Sequence, residues 1–364
     1  MKTAVLNDLR DQIDRLDDQM LELLQTRAGL AIEIGQVKKE HSIAVLDRPR
    51  EKHILDRLTL KSRERPLTGE AVQEIYATII RACRAAQAPI RVAFLGPYGT
   101  FSHAAAKEQF GALGIYLPQD DLASIFKEVT EGRAEVGLVP FENSIEGIVG
   151  QTLDLLGATL LKTRGMVTLK ISLALMSRSL DLSAVKRVAS HPQPLAQARG
   201  WLSLNLPGVE LATTASTAAA ASLLTDDGSV AIIGHPVLAD FHGLNLVAEN
   251  VEDQSHNQTF FLVLGHDHSE PTGRDRTMCW FTTPHSSGSL YTCLQPLAEA
   301  GVNMTRLHSR PCLDSPWEYR FFLELEGHFS DDRVRSALAE LEKQSETFYL
   351  LGSYESQDTA EQPQ

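Results

Sequence analysis

The chain reads as three folding units of different class in series: an all-α segment, an α/β segment and an α+β module. Three observations carry that reading. Apolar residues recur at helical spacing over the first part of the chain, and short apolar runs ending in Gly-, Pro- and Ser-rich turns follow. From Thr277 the pattern then runs strand, helix, strand, strand, helix, strand. A length of 364 residues favours two or three domains, each with room for its own core.

Leu6, Leu9, Ile13, Leu16, Met20 and Leu23 alternate spacings of three and four, and the series resumes at Leu30, Ile34 and Val37. This predicts one amphipathic helix from about residue 5 to about residue 40. The seam position missing from the series is Arg27. A charge there is costly unless something anionic meets it, either a glutamate on a neighbouring helix or a ligand. Lys38 comes three turns later, about 20° away around the axis, so both cations line one face. The helix would be about 50 Å long, too long for one compact unit of this size, which predicts a dimer. Arg10, rotated by about −100° from Arg27, is expected to serve a site completed by the partner chain. Further on, Asp47 suits an N-cap and Pro49 a first helical turn, from which Arg50 and Glu51 project. A third helix carries Val72, Ile75, Ile79 and Ile80 as its apolar stripe. Cys83 and Gln87 continue one edge of it at i+4 spacing, and Gln87 can both donate and accept hydrogen bonds.

Between Ala85 and Pro89 the helical period gives way to strand. Arg91–Leu95 reads as a buried strand leading into Gly96-Pro97-Tyr98-Gly99-Thr100-Phe101-Ser102, with helix resuming from His103. Such a turn offers backbone N–H groups to anions, but it lacks the lysine of a nucleotide P-loop and the spacing of a dinucleotide fingerprint. Val136–Pro140 leads into Phe141-Glu142-Asn143-Ser144, polar residues at a strand's carboxyl end, where ligands sit in open α/β sheets. Val185–Ala189 leads into Ser190-His191-Pro192-Gln193-Pro194, with Gln197 on the next helix. His191, beside two prolines, is either a general base or a structural turn residue. Val230–Ile233 is another short strand, and Asn257-Gln258-Thr259 precedes the apolar run Phe260–Leu264.

After a linker with Pro271 and Gly273, strands are expected at Thr277–Thr282, Met304–Ser309, Tyr319–Glu326 and Thr347–Tyr354. Helices are expected over roughly 290–300 and 331–344, and the βαββαβ order is ferredoxin-like. Gln357–Gln364 has the composition of a disordered tail.

A formal net charge of −13 argues against nucleic acid and anionic membranes as main partners. No early apolar run resembles a signal peptide, and none reaches transmembrane length. The four cysteines form no close metal-binding pair and no obvious disulfide framework. A cytoplasmic protein without metal or cofactor is the expectation.

The residues Arg10, Arg27, Lys38, Asp47, Arg50, Glu51, Cys83 and Gln87 resemble, in order and spacing, the all-helical chorismate mutase family. The resemblance implies that Arg10 and Arg27 bind the substrate carboxylates, and that Lys38 and Gln87 address the ether oxygen. Arg50 and Glu51 would make the remaining polar contacts, Glu51 towards the ring hydroxyl. Cys83 stands where that family more often has serine. The rearrangement is pericyclic, so fixed cations and an amide suffice, with no nucleophile and no metal.

Residues 90–265 resemble prephenate dehydratase, which implies two α/β lobes of the periplasmic-binding-protein type with the active site in the cleft. Thr259 matches that family's essential threonine, and Glu142, Asn143, Ser190 and Gln197 match positions implicated in binding or turnover. Thr259-Phe260-Phe261 stands where the family usually has Thr-Arg-Phe.

Gly288-Ser289-Leu290-Tyr291 and His308-Ser309-Arg310-Pro311 resemble the effector segments of an ACT domain that binds phenylalanine. They depart from the usual Gly-Ala-Leu-Val and Glu-Ser-Arg-Pro, and His308 would make the control pH-sensitive. The resemblances place a mutase domain at 1–88, a dehydratase domain at 89–268, a regulatory domain at 275–355 and a tail at 356–364. Together they imply a bifunctional enzyme of phenylalanine biosynthesis, inhibited by phenylalanine and built as a homodimer or larger homo-oligomer. It would convert chorismate to prephenate and prephenate to phenylpyruvate. Two other readings compete: an arogenate-preferring dehydratase, and an α/β domain that senses a ligand without turnover.

Overall fold

The computed structural model describes residues 2–41, 43, 47–62, 66–111, 114–254, 256–312 and 318–356. The chain forms two compact units, Met1–Ile90 with Phe110–Ile115, and Arg91–Gln109 with Tyr116–Gln364.

The first unit is built from helices α1 (Lys2–Glu40), α2 (Arg48–Lys61) and α3 (Gly69–Gln87). At 1.5 Å per residue α1 is about 58 Å long. Its leucine seam is not the face that α3 covers. Leu6, Leu9, Ile13, Leu16, Met20 and Leu23 are 47–70 % exposed, whereas Ala31 and Gly35 are buried. Small side chains let the α3 backbone come close: a Cβ on Gly35 would lie 2.8 Å from the Gln87 carbonyl oxygen. Helix α2 starts as expected, with the Asp47 carboxylate accepting from the Arg50 N–H at 3.0 Å and Pro49 in the first turn. Helix α3 is capped by Thr68, whose hydroxyl accepts from the Ala71 N–H, and it buries Ile80 and Cys83. Ile75, expected on its apolar stripe, is exposed.

The second unit holds three sheets. Its chain runs β1 (Arg91–Leu95), α4 (Phe101–Phe110), β2 (Ile115–Gln119), α5 (Leu122–Thr130), β3 (Val136–Asn143), β4 (Gly147–Ile148), α6 (Gly150–Leu156) and β5 (Lys162–Lys170). It then crosses to β6 (Ala174–Ser177), β7 (Arg187–Ser190), α7 (Pro192–Gln197), α8 (Arg199–Asn205), β8 (Glu210–Thr213), β9 (Val230–Gly234), α9 (Val237–His242) and β10 (Asn245–Glu249). Strand β11 (Gln258–Gly265) returns to the first sheet, whose order is β2-β1-β3-β11-β5 with β4 on β3; the second is β10-β6-β9-β7-β8. The two crossings between these sheets bond to each other, Ile171 N–H to the Asn257 carbonyl at 2.9 Å and Val251 N–H to the Leu173 carbonyl at 3.0 Å. Two α/β lobes joined by a double crossing result.

Several boundaries differ from the sequence reading. Helix α4 begins at Phe101, because the Thr100 hydroxyl accepts from the His103 N–H and caps the helix early. Strand β3 continues through Asn143, since Glu142 and Asn143 pair with both β11 and β4. Strand β7 starts only at Arg187, after a 3-10 turn at Leu182–Ala184 capped by Asp181. Thr259 lies on β11 and not before it.

The third sheet comprises β12 (Asp275–Thr282), β13 (Met304–Pro311), β14 (Tyr319–Glu326) and β15 (Thr347–Glu355), with helices α10 (Ser289–Glu299) and α11 (Asp332–Gln344). Its order β13-β14-β12-β15 is antiparallel throughout, the expected βαββαβ arrangement. Alternation along β12 feeds two cores. Cys279 and Phe281 pack under the helices with Leu297 and Leu338. Met278 and Trp280 join Phe141, Leu262 and Leu264 of the first sheet, which explains why these segments form one unit. Ser356, placed in the expected tail, is tied down by its N–H to the Arg274 carbonyl at 2.8 Å. The rest of that tail, 357–364, lies outside the described residues. Among the described residues no helix is long and apolar enough to cross a membrane.

Candidate active sites

In the helical unit, Arg27 and Lys38 are half-buried on the face of α1 that carries Ala31 and Gly35. Gln87 meets that face at Gly35, less than one turn from Lys38. The Gln87 Oε1 atom is buried and has no hydrogen-bond partner among the described residues. A buried amide oxygen in that condition is destabilising, and a ligand donor or a water would relieve it. Cys83 is buried one turn before Gln87 on α3. On the neighbouring helix, the Glu51 carboxylate accepts two hydrogen bonds from Arg84 Nη1, at 2.8 and 3.1 Å. Arg84 escaped the sequence reading; its signal was a basic residue beside Cys83 on the edge that faces α2. Asp47 is committed to its cap and Arg50 is exposed. Arg10 is exposed about 42 Å from Lys38 along the helix axis, so one chain does not bring it to the others.

In the α/β unit, the centre is a hydroxyl–amide pair at the ends of β3 and β11. Asn143 and Thr259 are direct partners in the ladder. Asn143 Oδ1 accepts from the Ile145 and Glu146 N–H groups at 3.0 and 3.1 Å, which fixes which end of the amide is which. Its Nδ2 then donates to Thr259 Oγ1 at 2.9 Å, to Asn257 Oδ1 at 2.8 Å and to the Gln258 carbonyl at 3.1 Å. Asn257, almost wholly buried, is a member of this cluster that the sequence reading used only as a flank.

Glu142 does not join that pair. A register shift at Phe260/Phe261 breaks alternation beside it, and its carboxylate accepts from Arg306 Nε at 3.0 Å. Arg306 also lies over the Phe260 ring, 4.9 Å from its centroid. Ser190 and Gln197 belong to the second lobe. The buried Ser190 hydroxyl donates to the Ile233 carbonyl at 2.5 Å, and Gln197 ends α7 with its carbonyl accepting from Asp253. His191 is the N-cap of α7, its Nδ1 accepting from the Gln193 N–H; this is the structural reading of the two open for it.

In the third sheet, Gly288 opens α10 at φ +85°, the Ser289 hydroxyl donates to the Ser286 carbonyl, Leu290 packs into the helix-side core and Tyr291 is exposed. Along β13, Arg306, His308 and Arg310 are half-buried, whereas Leu307, Ser309 and Pro311 are exposed. The inward set touches the first lobe: Arg306 on Glu142, His308 edge-on to Phe141, and Arg310 on Asp154 at 2.5 and 3.0 Å. Burial pushes the His308 pKa down, outweighing the carboxylate of Glu142, and its buried Nε2 lacks a hydrogen bond among the described residues.

The fold and these constellations define a two-site enzyme for small anionic substrates. Two family patterns match the chain, chorismate mutase type II over residues 9–88 and prephenate dehydratase over residues 92–269. A bifunctional chorismate mutase/prephenate dehydratase of Aquifex aeolicus is 38 % identical over 96 % of this chain and 97 % of its own. Among solved structures, the prephenate dehydratase of Arthrobacter aurescens in complex with L-Phe has a TM-score of 0.67 at 33 % identity, over 73 % of this chain and 90 % of its own. GqqA, described as a novel type of quorum-quenching acylase, has a TM-score of 0.68 at 29 % identity, over 73 % of this chain and 97 % of its own. The chain belongs to the bifunctional chorismate mutase/prephenate dehydratase family. It is an isomerase and a lyase of phenylalanine biosynthesis in one polypeptide.

Proposed function

We propose that the helical unit rearranges chorismate with Arg27, Lys38, Glu51 and Gln87 of one chain and Arg10 of a second. Lys38 and the unsatisfied Gln87 amide are suited to charge developing on the ether oxygen, and Arg84 holds Glu51 in place. Arg50 and Cys83 make lesser contacts. Dimerisation is supported by the open seam of α1, whose leucines need a partner to leave water.

In the dehydratase, prephenate's bond to its ring carboxylate breaks, the carboxylate leaves as carbon dioxide, and that electron pair moves into the ring. The ring C–O bond breaks, and the departing oxygen takes a proton to leave as water. The observation that carries the reading is the direction of one hydrogen bond. Asn143 donates to Thr259 Oγ1, so the threonine hydrogen is available for the departing oxygen. Ser190 and Gln197 shape the opposite lobe. Supplied with chorismate, the protein forms prephenate and then phenylpyruvate. Thr259→Ala halts product at prephenate, and equal loss of both steps would remove this division of labour.

The third sheet is read as an ACT domain whose Gly288–Tyr291 and His308–Pro311 segments take phenylalanine, as the solved Arthrobacter relative holds L-Phe. Such a ligand shifts activity only by binding two global states unequally. Calorimetric titration with phenylalanine tests this, and absent heat with a flat rate would refute it. The proposed bounds are 1–88, 89–268 and 275–355, and the four unpaired cysteines suit a cytoplasmic setting.

A further inference from the structure

We propose that Arg306, supplied by the C-terminal sheet, is a positioning residue for the dehydration: it clamps Glu142 and Phe260, and through them the strand ends that carry Asn143 and Thr259. The proposal rests on reading Asn143 and Thr259 as the dehydratase site.

The need for a clamp comes from the ladder itself. Pairing between β3 and β11 runs Thr259 to Asn143 and Phe260 to Glu142, then slips, with Phe261 opposite Pro140. At such a bulge the ladder is locally interrupted, and strand direction and side-chain aim depend on what packs there. The slip lies beside the hydroxyl–amide pair. Whatever seats Glu142 and Phe260 therefore sets the approach of Thr259 to its substrate.

Arg306 seats both. Its Nε donates to Glu142 Oε2 at 3.0 Å, and its guanidinium lies 4.9 Å from the Phe260 ring centroid. The far side of the fork is anchored, Nη1 donating to Glu324 Oε2 at 2.5 Å. Glu324 is 1 % exposed and accepts from Tyr354 Oη at 2.6 Å and Thr305 Oγ1 at 2.6 Å, with Arg276 also paired to it at 3.3 Å. Arg306 thus spans a rigid network in one sheet and a slipped rung in another. Only a planar fork can address two carboxylates in different directions while stacking on a ring; a lysine ammonium lacks that reach and shape. Burial works against the Arg306 charge, but Glu324 and Glu142 outweigh it and hold its pKa above the ordinary value.

The test uses the full chain, with chorismate mutase turnover as internal control. Arg306→Lys keeps the charge and loses the fork, and Glu142→Gln loses the pair from the other side without emptying the buried network. Each is expected to lower dehydratase kcat about 10- to 100-fold with KM for prephenate changed by less than about twofold, the mark of a misplaced group acting in the transition state. The double variant is expected to be no worse than the poorer single, as for two ends of one contact. Mutase turnover stays unchanged. A kcat within about twofold of the parent in both singles overturns the proposal. So does a rise in KM alone for Glu142→Gln, which would put that carboxylate on the substrate. Thr259→Ala is measured alongside: if it still dehydrates prephenate, the site reading falls, and the role of Arg306 falls with it for that separate reason.

Discussion

Apolar residues line both α1 and β11, yet one set stands open and the other is sealed. Leu16 and Met20 of α1 are 57 % and 55 % exposed, whereas Leu262 and Leu264 of β11 are wholly buried. Strand β11 lies between β3 and β5, and Trp280 and Phe322 of the third sheet close over its core. Helix α1 offers α3 only its small-residue face around Ala31 and Gly35. The α/β unit thus buries its apolar run within one chain, and the helical unit leaves its seam open. Burying a leucine is worth about 1.5–3 kcal/mol, so covering the open seam would add stability.

The sharpest way to break this comparison is to charge the seam. In a solitary chain, Leu16→Asp with Met20→Asp would be a surface change worth about 0.5 kcal/mol or less. If the seam is instead an interface, the pair lowers mutase turnover about 100-fold while phenylpyruvate formation from added prephenate persists. Steady-state rates of both steps on one preparation decide it. Unchanged mutase turnover would return α1 to an ordinary solvent-facing helix.

A smaller effect probes the closed face of the same helix. A methyl on Gly35 would sit 2.8 Å from the Gln87 carbonyl oxygen and 2.9 Å from its Cα, so backbone must move. Gly35→Ala is expected to cost about 1–3 kcal/mol of overpacking and to cut mutase turnover about tenfold by shifting Gln87. Dehydratase turnover is the control. Normal mutase kinetics would mean that Gln87 tolerates displacement and does not address the ether oxygen.

How far the sequence disclosed this molecule depended on whether each signal was local. The Asp47 cap and the βαββαβ order were legible because turn chemistry and period are written in adjacent residues. Thr259 and Asn143 stood out in the sequence as candidates, but not their mutual hydrogen bond, since nothing local states that residues 116 apart share a rung. The leucine seam was read correctly as a helix signal, yet periodicity cannot say which chain covers it. Arg306 was invisible for a different reason. Alternation on β13 marks an inward set, but only tertiary packing shows that the set meets Glu142, Phe141 and Asp154. The pairing of Glu142 with Arg306 could not be read from its place beside Asn143, because the slip at Phe260/Phe261 is a bulge with no glycine to announce it.

The sealed unit carries its own weak point, and pH exposes it. His103 is 2 % exposed, packed against Phe94, Tyr98, Tyr116 and Phe241, with Lys107 one turn along α4. Burial, with Lys107 adding to it, lowers its pKa from 6.5 to about 4. The ring is neutral when folded, and its Nδ1 accepts from the Gly99 N–H at 3.2 Å, a bond that protonation at that atom would remove. The unfolded chain takes up the proton near 6.5 and the folded chain only near 4. Stability from this group is thus full above about pH 6.5 and is lost progressively as pH falls towards about 4. His235, lowered by burial to about 4, acts in the same direction. Residues 1–90 and 110–115 hold no tryptophan, so tryptophan fluorescence does not report the first unit. The second unit's urea midpoint should fall between about pH 7 and about pH 5, and His103→Gln should shrink that fall. An undiminished fall in His103→Gln would shift the weak point to His235 or to the acidic surface.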